Sequence, residues 1–448
     1  MSLKDGLREL YHFIPQSVRI GRKYHALYKK YSELQYLPYE QRLAYQLQEL
    51  QHIVSYAYDH TRYYHNLFDE CGVDPYNIRD FSDIRKIPLL TKDIVQNNLA
   101  DMVSDMIPPK QLQYVTTGGS TGKTLGFYIT ADTDRRRLAF EWIHWKAMGY
   151  EMGMPCAVLR GAVVKDGWFF YNRGENQLIM STYDMLEENM DTYLEKLVEF
   201  SPRILRGYPS ALTILSNYMV KNNFNPDRLR SIQAISTSSE VLLAEQKEII
   251  ERAFNCPVYD KYGNCEQVGV IGMCRERHYH EFMEHSYLEY LKDDGTPAKD
   301  GEFGEIIGTS FINEAVPFIR YQTGDRALLD IGHHCVCGVE SRIIERMEGR
   351  TGDSLITKYG NLISITALNS HNDIFDHAKR IQYYQDEKGV VILKIVPRSD
   401  YTEGDSKKIY AELSEKFKDQ VELRLEFVES IPLTPRGKYK YLDQRLKL

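Results

Sequence analysis

A glycine-rich segment at residues 116–124, TTGGSTGKT, carries the residue types that could hold an anion. Glycines let backbone N–H groups turn toward a ligand, while hydroxyls and Lys123 add hydrogen-bond donors and positive charge. This chemistry suits a triphosphate. A Walker A loop would need glycine at position 117, where this chain has threonine, so a P-loop NTPase is disfavoured. A flexible hairpin without a ligand remains the alternative.

Cysteines and histidines recur in two later segments, CRERHYH at residues 274–280 and HHCVCG at residues 333–338. Thiolates and imidazoles satisfy tetrahedral Zn²⁺, and two pairs of ligands can join two strands. We predict a structural zinc site formed by four residues: Cys274, His280, Cys335 and Cys337. His278 is an alternative to His280. Buried free thiols are the alternative to any metal, because Cys-x-Cys spacing is less diagnostic than Cys-x-x-Cys.

The glycine-rich segment resembles the phosphate loop of the adenylate-forming superfamily, which includes the acyl-CoA ligases. The preceding residues are similar to the leader of the phenylacetate–CoA ligase-like branch and of its capsule-biosynthesis relatives. The resemblance runs from about Tyr56 to the C-terminus and departs at Thr124, where the family usually has proline. It implies that the loop holds the phosphates of ATP through these residues: Thr117, Gly118, Gly119, Ser120, Thr121, Gly122 and Lys123.

Three further segments resemble family motifs in the family's order: SSE at 238–240, DKYGNCE at 260–266 and RYQTGD at 320–325. The resemblance implies that Glu266 binds Mg²⁺ and that Asp325 binds the ribose hydroxyls. The nucleotide-binding residues that it implies are Ser239, Glu240, Tyr262, Gly263, Asp325 and Arg346. One carboxylate is a suitable ligand for a hard cation that bridges phosphates. Considered alone, Glu266 could be a surface acid and Asp325 part of an ordinary turn.

The segment ERMEGRTGD at 345–353 resembles the hinge motif between the two domains of the family. The resemblance places Arg350 and Asp353 at the hinge, with Gly352 as an alternative to Asp353. The segment PLTPRGK at 432–438 resembles the C-terminal lysine motif. By that resemblance Lys438 stabilises the charge that develops between a carboxylate and the α-phosphate, whereas an ordinary lysine near a basic tail is only solvated. The catalytic residues are then Lys438, Lys123 and Glu266.

The resemblance implies an ATP-dependent, AMP-forming acid–thiol ligase. A carboxylic acid would form an acyl-adenylate, and the acyl group would then pass to coenzyme A, with Mg²⁺ assisting the first step. Two alternatives remain: an adenylyltransferase that passes AMP to a hydroxyl of a cofactor or sugar in capsule biosynthesis, and a non-catalytic nucleotide-binding protein. Trp142, Trp145 and Tyr208 could line an acyl pocket, although aromatic residues beside helices are more often core.

The elements that would position these residues follow an α/β pattern. Up to about residue 110 apolar residues recur at helical intervals, with Thr91 as a helix cap, and strands then alternate with helices as in a parallel sheet. The chain is strand-rich after Glu281, and its last segment alternates short strands and helices. We therefore expect an N-terminal adenylation domain at 1–349, with a helical leader at 1–110 and a nucleotide-binding core at 111–349. A small mobile α+β lid would occupy 350–448.

The composition is that of a globular protein with 448 residues, 12% of them aromatic, and a net charge of -7. The charges of both signs are interspersed, which gives no reason to expect a nucleic-acid partner. Seven cysteines without an export signal favour reduced thiols or a metal, hence a cytoplasmic protein. There is no uncharged apolar run long enough for a transmembrane segment. The aromatic and basic N-terminus could rest on a membrane surface or on another subunit, as in a homodimer, although an ordinary pair of surface helices is simpler.

Overall fold

The fold is taken from a computed structural model. It describes residues 16–117, 125–162, 164, 167–185, 187–332, 334–348, 354–360, 362–364, 368, 374–375, 377–432 and 442–446.

The helices and strands are numbered here in chain order. The helices are α1 Gln16–Arg19, α2 Arg22–Leu34, α3 Tyr39–His60, α4 Arg62–Cys71, α5 Lys92–Met102, α6 Ala131–Ala147, α7 Met190–Phe200, α8 Pro209–Lys221, α9 Ala244–Phe254 and α10 Glu403–Phe417. The first ten strands are β1 Gln113–Thr116, β2 Gly126–Ile129, β3 Cys156–Arg160, β4 Phe169–Asn172, β5 Gln177–Ser181, β6 Ile204–Gly207, β7 Ala234–Ser238, β8 Val258–Gly263, β9 Val270–Met273 and β10 Tyr279–Glu281. The remaining strands are β11 Ser286–Leu291, β12 Phe303–Ser310, β13 Tyr321–Leu329, β14 Ile343–Glu348, β15 Ser354–Ile356, β16 Leu362–Ser364, β17 Ala378–Glu387, β18 Val390–Pro397, β19 Glu422–Phe427 and β20 Leu442–Gln444.

The larger part of the molecule is organised around one twelve-stranded sheet of order β11-β12-β13-β14-β10-β9-β8-β7-β6-β3-β5-β4. Strands β5, β3, β6, β7 and β8 run parallel, and helices α7, α8 and α9 connect them. From β9 onward neighbouring strands are antiparallel. The predicted alternation of strands and helices around a parallel sheet is confirmed. Ligands of such sheets bind at the carboxyl ends of the parallel strands.

Both faces of the parallel strands are buried, which explains their nearly continuous apolar sequences. One face packs against α7, α8 and α9 through residues such as Leu197, Leu212 and Ile250. The other face packs against α2 and α6, where Tyr31 and Phe140 stack with ring centroids 4.3 Å apart. Because both faces are covered, only the ends of the parallel strands can offer groups to a ligand.

The helical leader is attached to the sheet by buried polar contacts as well as by apolar packing. Arg42 in α3 donates from Nε to Oε1 of Glu284 at 2.7 Å and from one terminal nitrogen to the carbonyl of Glu340 at 2.7 Å. The predicted cap of α5 is confirmed, because the Thr91 hydroxyl accepts from the Ile94 N–H at 3.3 Å. The leader therefore forms one body with the large sheet.

The C-terminal residues form a separate four-stranded sheet of order β19-β18-β17-β20, covered by α10. Its core contains Ile395 and Leu393 of β18 and Ile409, Leu413 and Phe417 of α10. The predicted α+β character of the last segment is confirmed. The boundary between residues 349 and 350 stays a prediction, because residues 349–353 lie outside the described part of the chain.

The sequence prediction omitted the antiparallel hairpin of β4 and β5, which forms one edge of the large sheet. Helix α7 begins at Met190, after a short 3-10 turn at Glu187–Asn189. Among the described helices, none combines the length and apolar composition that a membrane-crossing helix needs.

Candidate functional site

The glycine-rich loop is anchored at both ends by one pair of residues. The N–H of Thr117 donates to the carbonyl of Leu125 at 2.9 Å, and the N–H of Leu125 donates to the Thr117 hydroxyl at 3.0 Å. This pair extends the hairpin of β1 and β2 and brings the ends of the loop together. The other predicted loop residues lie outside the described part of the chain: Gly118, Gly119, Ser120, Thr121, Gly122 and Lys123.

Two predicted nucleotide-binding residues that are distant in sequence meet at the end of β8. The hydroxyl of Tyr262 donates to Oδ2 of Asp325 at 3.0 Å. Burial, reinforced by the charge of Asp325, raises the pKa of Tyr262 well above its ordinary value, so this hydroxyl stays a donor. Asp325 follows Gly324, whose φ of 79° favours glycine, in the irregular part of β13 between Gln322 and Arg326. The structure thus brings the segments 260–266 and 320–325 together.

Glu266 lies in the turn after β8 and is bonded to the same neighbouring segment. The hydroxyl of Tyr321 donates to its Oε1 at 2.9 Å. The turn is closed by Asn264, which accepts from the Val268 N–H at 3.0 Å. Tyr321 was not singled out in the sequence, although it lies inside the quoted motif RYQTGD. Glu266 is therefore held beside the Asp325 segment.

Glu240 connects the end of β7 to the N-terminus of α8. Its two carboxylate oxygens accept from the N–H and the hydroxyl of Ser210, each at 2.9 Å. A carboxylate in this position also interacts favourably with the positive end of the helix dipole. Ser239 has a φ of 72°, in the left-handed region that turns the chain after β7. Ser210 had no distinguishing signal in the sequence, because serine in the first turn of a helix is common.

Gly263 and Arg346 are the remaining predicted nucleotide-binding residues in the described part of the chain. Gly263 is the last residue of β8, directly after Tyr262. Arg346 is exposed on β14, opposite Leu328 of β13, with its guanidinium 5.4 Å from the ring centroid of Phe303. The predicted hinge residues Arg350 and Asp353, the alternative Gly352, and Lys438 lie outside the described residues.

Four side chains near the ends of β9, β10 and β14 form a cluster with metal-ligand chemistry: Cys274, His280, Cys335 and Cys337. Their ligand atoms all lie within 4.8 Å of one another. The sulfur atoms of Cys274 and Cys335 are 3.6 Å apart, and Cys337 Sγ is 3.6 Å from His280 Nε2. Ligands of tetrahedral Zn²⁺ about 2.3 Å from the metal lie about 3.7 Å from each other. The cluster can hold a metal ion.

The surroundings of the cluster orient its ligands. His280 is 3.1 Å from Ser341 Oγ through Nδ1, which leaves Nε2 facing the cysteines. Burial lowers the pKa of His280 to about 4, so the imidazole is neutral, as a ligand must be. Burial raises the pKa of Cys337 to about 12, so its thiolate would need a cation beside it. His278, the alternative ligand, has Nδ1 3.3 Å from Cys335 Sγ but is exposed.

The C-terminal part contacts the segment that follows β5. Gln420 donates to the carbonyl of Tyr183 at 2.7 Å, and Lys418 pairs with Asp184. A groove of about 310 Å³ lies between α7, α8 and Gly360 of the C-terminal part, and Ser210 is one of its lining residues. Ser210 also binds Glu240, so the groove reaches the segment at the end of β7.

The aromatic residues considered for an acyl pocket are core residues. Trp142 and Trp145 are buried and stack edge to face, with ring centroids 4.9 Å apart. Tyr208 packs against the core around α7, α8 and α9. The sequence did not single out the ion pair of Lys261 with Glu141 that lies beside Trp145, although Lys261 is part of the quoted motif at 260–266.

Comparison with known proteins supports the resemblance noted in the sequence. Residues 355–444 match the family model of the CapK C-terminal domain. Protein CapK of Staphylococcus aureus is 26% identical over 418 residues, covering 90% of this chain and 89% of the relative. The phenylacetate-coenzyme A ligase of Escherichia coli is 27% identical, and the alignment covers 71% of this chain and 73% of the relative. The enzyme of the same name from Thermus thermophilus is 26% identical, and the alignment covers 74% of this chain and 75% of the relative.

Solved structures share the fold over nearly the whole chain. The structure of 2-hydroxyisobutyryl-CoA ligase with 2-HIB-AMP and CoA in the thioesterification state has a TM-score of 0.62 at 17% identity. The superposition covers 91% of each chain. The same ligase in the postadenylation state with R3-HIB-AMP gives a TM-score of 0.59. This chain is thus similar in sequence to Protein CapK and to phenylacetate-coenzyme A ligases, shares the fold of 2-hydroxyisobutyryl-CoA ligase, and matches the CapK C-terminal domain over residues 355–444.

Proposed function

We propose that the chain is an ATP-dependent ligase that activates a carboxylic acid as an acyl-adenylate and then transfers the acyl group to coenzyme A. The observation that carries the proposal is the contact of Tyr262 with Asp325, since it joins two of the motifs that resemble nucleotide-binding segments. The relatives named phenylacetate-coenzyme A ligases support the same reaction over 71% and 74% of the chain.

In the first half-reaction, a carboxylate oxygen of the acid attacks the α-phosphorus of ATP, the bond to the bridging oxygen breaks, and pyrophosphate leaves. Thr117 and the loop residues up to Lys123 would hold the phosphates, and Asp325 would accept hydrogen bonds from the ribose. Ser239, Glu240, Tyr262, Gly263 and Arg346 would complete the nucleotide site. Mg²⁺, when bound at Glu266, would neutralise charge on the phosphates.

In the second half-reaction, the thiol of coenzyme A attacks the acyl carbon, AMP leaves, and the thiol proton is released to solvent. Lys438 would serve the first step from a C-terminal lid at 350–448, and rotation about Arg350 and Asp353 would then remove it from the N-terminal domain at 1–349. The groove beside Ser210 and Gly360 supports an acceptor route between the two parts. Domain rotation of this kind can limit turnover.

The test is acid-dependent exchange of labelled pyrophosphate into ATP, followed by acid- and CoA-dependent release of AMP. We expect Asp325→Asn to raise the KM for ATP about 10- to 100-fold, because a charged hydrogen-bond acceptor is lost. Asp227→Asn, the same change at an exposed carboxylate in a surface turn, is the matched control and should leave KM unchanged. Stable transfer of AMP to a hydroxyl compound without exchange would instead identify an adenylyltransferase.

We also propose that Cys274, His280, Cys335 and Cys337 hold a structural Zn²⁺. Four protein ligands would leave no open coordination position, so the ion would stabilise the junction of β9, β10 and β14 rather than act in catalysis. We expect about one zinc per chain by elemental analysis and loss of the metal together with a lower melting temperature in Cys335→Ser. Cys71→Ser, at an exposed thiol on α4, is the control. A metal-free wild-type chain from zinc-supplemented cells, or a Cys335→Ser variant that keeps its metal, would contradict the site.

A further inference from the structure

A group of charged and polar side chains lies between α6 and the carboxyl ends of the parallel strands. Lys261 of β8 forms an ion pair with Glu141 of α6, and their side chains are 11% and 17% exposed. The guanidinium of Arg206, at the end of β6, lies 4.0 Å from the ring centroid of Trp145. We name Glu141, His144, Arg206 and Lys261 the polar cluster.

The sheet register explains why these groups converge. Arg206 is paired with Ser236 of β7, and Lys261 is paired with Ser238 two residues further along the same strand. Because alternate residues of a strand share a face, Arg206 and Lys261 project from the same side of the sheet. Glu141, three residues before His144 in α6, lies on the helix face above them. The charges of Lys261, Glu141 and Arg206 all act on the His144 ring.

The polar cluster contains hydrogen-bonding capacity that the described protein atoms do not use. Both ring nitrogens of His144 lack a hydrogen-bond partner among the described residues, although the side chain is only 1% exposed. A Cβ added to Gly272 of β9 would lie 2.8 Å from His144 Nδ1. The absence of a side chain at this position therefore makes room for the imidazole ring against the strand. A buried imidazole without partners is costly, and a ligand that supplied them would recover that cost.

The polar cluster adjoins the proposed nucleotide site. Lys261 and Tyr262 are neighbours near the carboxyl end of β8. Tyr262 contacts Asp325. That edge is where ligands of parallel sheets bind. An acid whose carboxylate points at the α-phosphate would extend its other end along this edge of the sheet.

From this geometry we propose that the polar cluster recognises a neutral hydroxyl group on the acid, so that the substrate is a hydroxylated carboxylic acid. Lys261 offers a donor, Glu141 an acceptor and His144 either, which matches a group that both donates and accepts. A second carboxylate would face Glu141, and an ammonium group would face Lys261 and Arg206. An apolar acid would remove water from the ion pair without offering a hydrogen bond in exchange. This inference rests on the proposed adenylation.

The test compares acids that differ only in hydroxylation: hexanoate with gluconate, butyrate with 3-hydroxybutyrate, and phenylacetate with 4-hydroxyphenylacetate. For the full chain in ATP–pyrophosphate exchange, we expect the hydroxylated member of the best pair to have a kcat/KM at least about tenfold higher. Glu141→Gln and Lys261→Met should reduce this preference by lowering kcat/KM for the hydroxylated acid. Lys146→Met, also on α6, breaks an exposed ion pair with Glu151 beyond the end of the helix and is the matched control.

The outcomes separate the two proposals. If the wild type supports exchange equally well with both acids of every pair, the hydroxyl subsite is wrong, whereas the proposed adenylation stands. Variants that lower kcat/KM equally for both members of the best pair also overturn it, because a structural role predicts that result. Absence of exchange with every acid overturns the proposed adenylation and the subsite together. The wild-type comparison is decisive even where a variant does not fold.

Discussion

At the residue scale, the candidate site depends on contacts between side chains that are far apart in sequence. The Tyr262–Asp325 bond joins residues 63 positions apart, and the Tyr321–Glu266 bond joins residues 55 positions apart. Tyr262, Asp325 and Glu266 could be singled out from the sequence because each lies in a segment that resembles a family motif. Ser210 and Tyr321 could not, since their importance arises from the partner that the fold provides.

The two buried histidines beside Lys261 predict how stability depends on pH. Burial, followed by the charge of Lys261, lowers the pKa of His144 and of His285 to about 3 from an ordinary 6.5. Below pH 6.5 the unfolded chain therefore binds protons that the folded chain takes up only near pH 3. We expect each histidine to reduce the free energy of unfolding by about 2 kcal/mol between pH 7 and pH 5.

Urea denaturation of His144→Gln at both pH values measures this contribution. The variant should lose about 2 kcal/mol less than the wild type on acidification, because glutamine does not titrate. His65→Gln, at a half-exposed histidine of α4, should lose as much as the wild type. Equal losses in His144→Gln and the wild type would show that this ring is protonated in the folded chain.

At the element scale, the beginning of β13 is fixed to the leader and to β11 by Arg320. Its guanidinium donates to both carboxylate oxygens of Glu289, at 2.9 and 3.0 Å, and to the carbonyl of Arg85 at 3.0 Å. Backbone bonds of Leu90 with Arg320 and Gln322 add a short parallel bridge. This anchor precedes Asp325 by five residues and so fixes the beginning of the strand that contains the Thr-Gly-Asp segment.

We expect Arg320→Met to lower the free energy of unfolding by about 3–5 kcal/mol, because it leaves Glu289 charged and buried without its partner. Arg326→Met, six residues further along and within β13, is the matched control. Arg326 is one-third exposed and its ion pairs with Asp293 and Glu348 are 3.6 and 3.8 Å long, so its removal should cost less than about 1 kcal/mol. Chemical denaturation measures both, and losses of equal size would contradict the anchor.

The elements themselves were predictable to the extent that their signals are local. The helical leader, the hairpin around the glycine-rich loop and the alternating units from β6 to β8 have periodic apolar residues or glycine turns. The edge hairpin of β4 and β5 was missed because its strands have only four and five residues and no helix separates them. The order of the strands could not be derived, because pairing such as that of β3 with both β5 and β6 is non-local.

At the scale of the whole molecule, the chain has two bodies that meet beside the candidate site. The small C-terminal sheet is attached through Gln420 to the carbonyl of Tyr183 and through Lys418 to Asp184, and the apolar contact of Tyr183 continues its core. Under the proposed mechanism the C-terminal part is a lid, and this contact would change between the two half-reactions. The groove between α7, α8 and Gly360 lies at the same junction.

The central claim is that the carboxylate of the acid attacks the α-phosphorus of ATP, and isotope transfer tests it most directly. An acid labelled with ¹⁸O in its carboxylate, taken from those that support pyrophosphate exchange, is converted with ATP and coenzyme A, and the AMP is analysed by mass spectrometry. We expect each AMP to carry one ¹⁸O atom, because the bridging oxygen of the acyl-adenylate leaves with the phosphate when the thiol attacks. AMP without the label would contradict it.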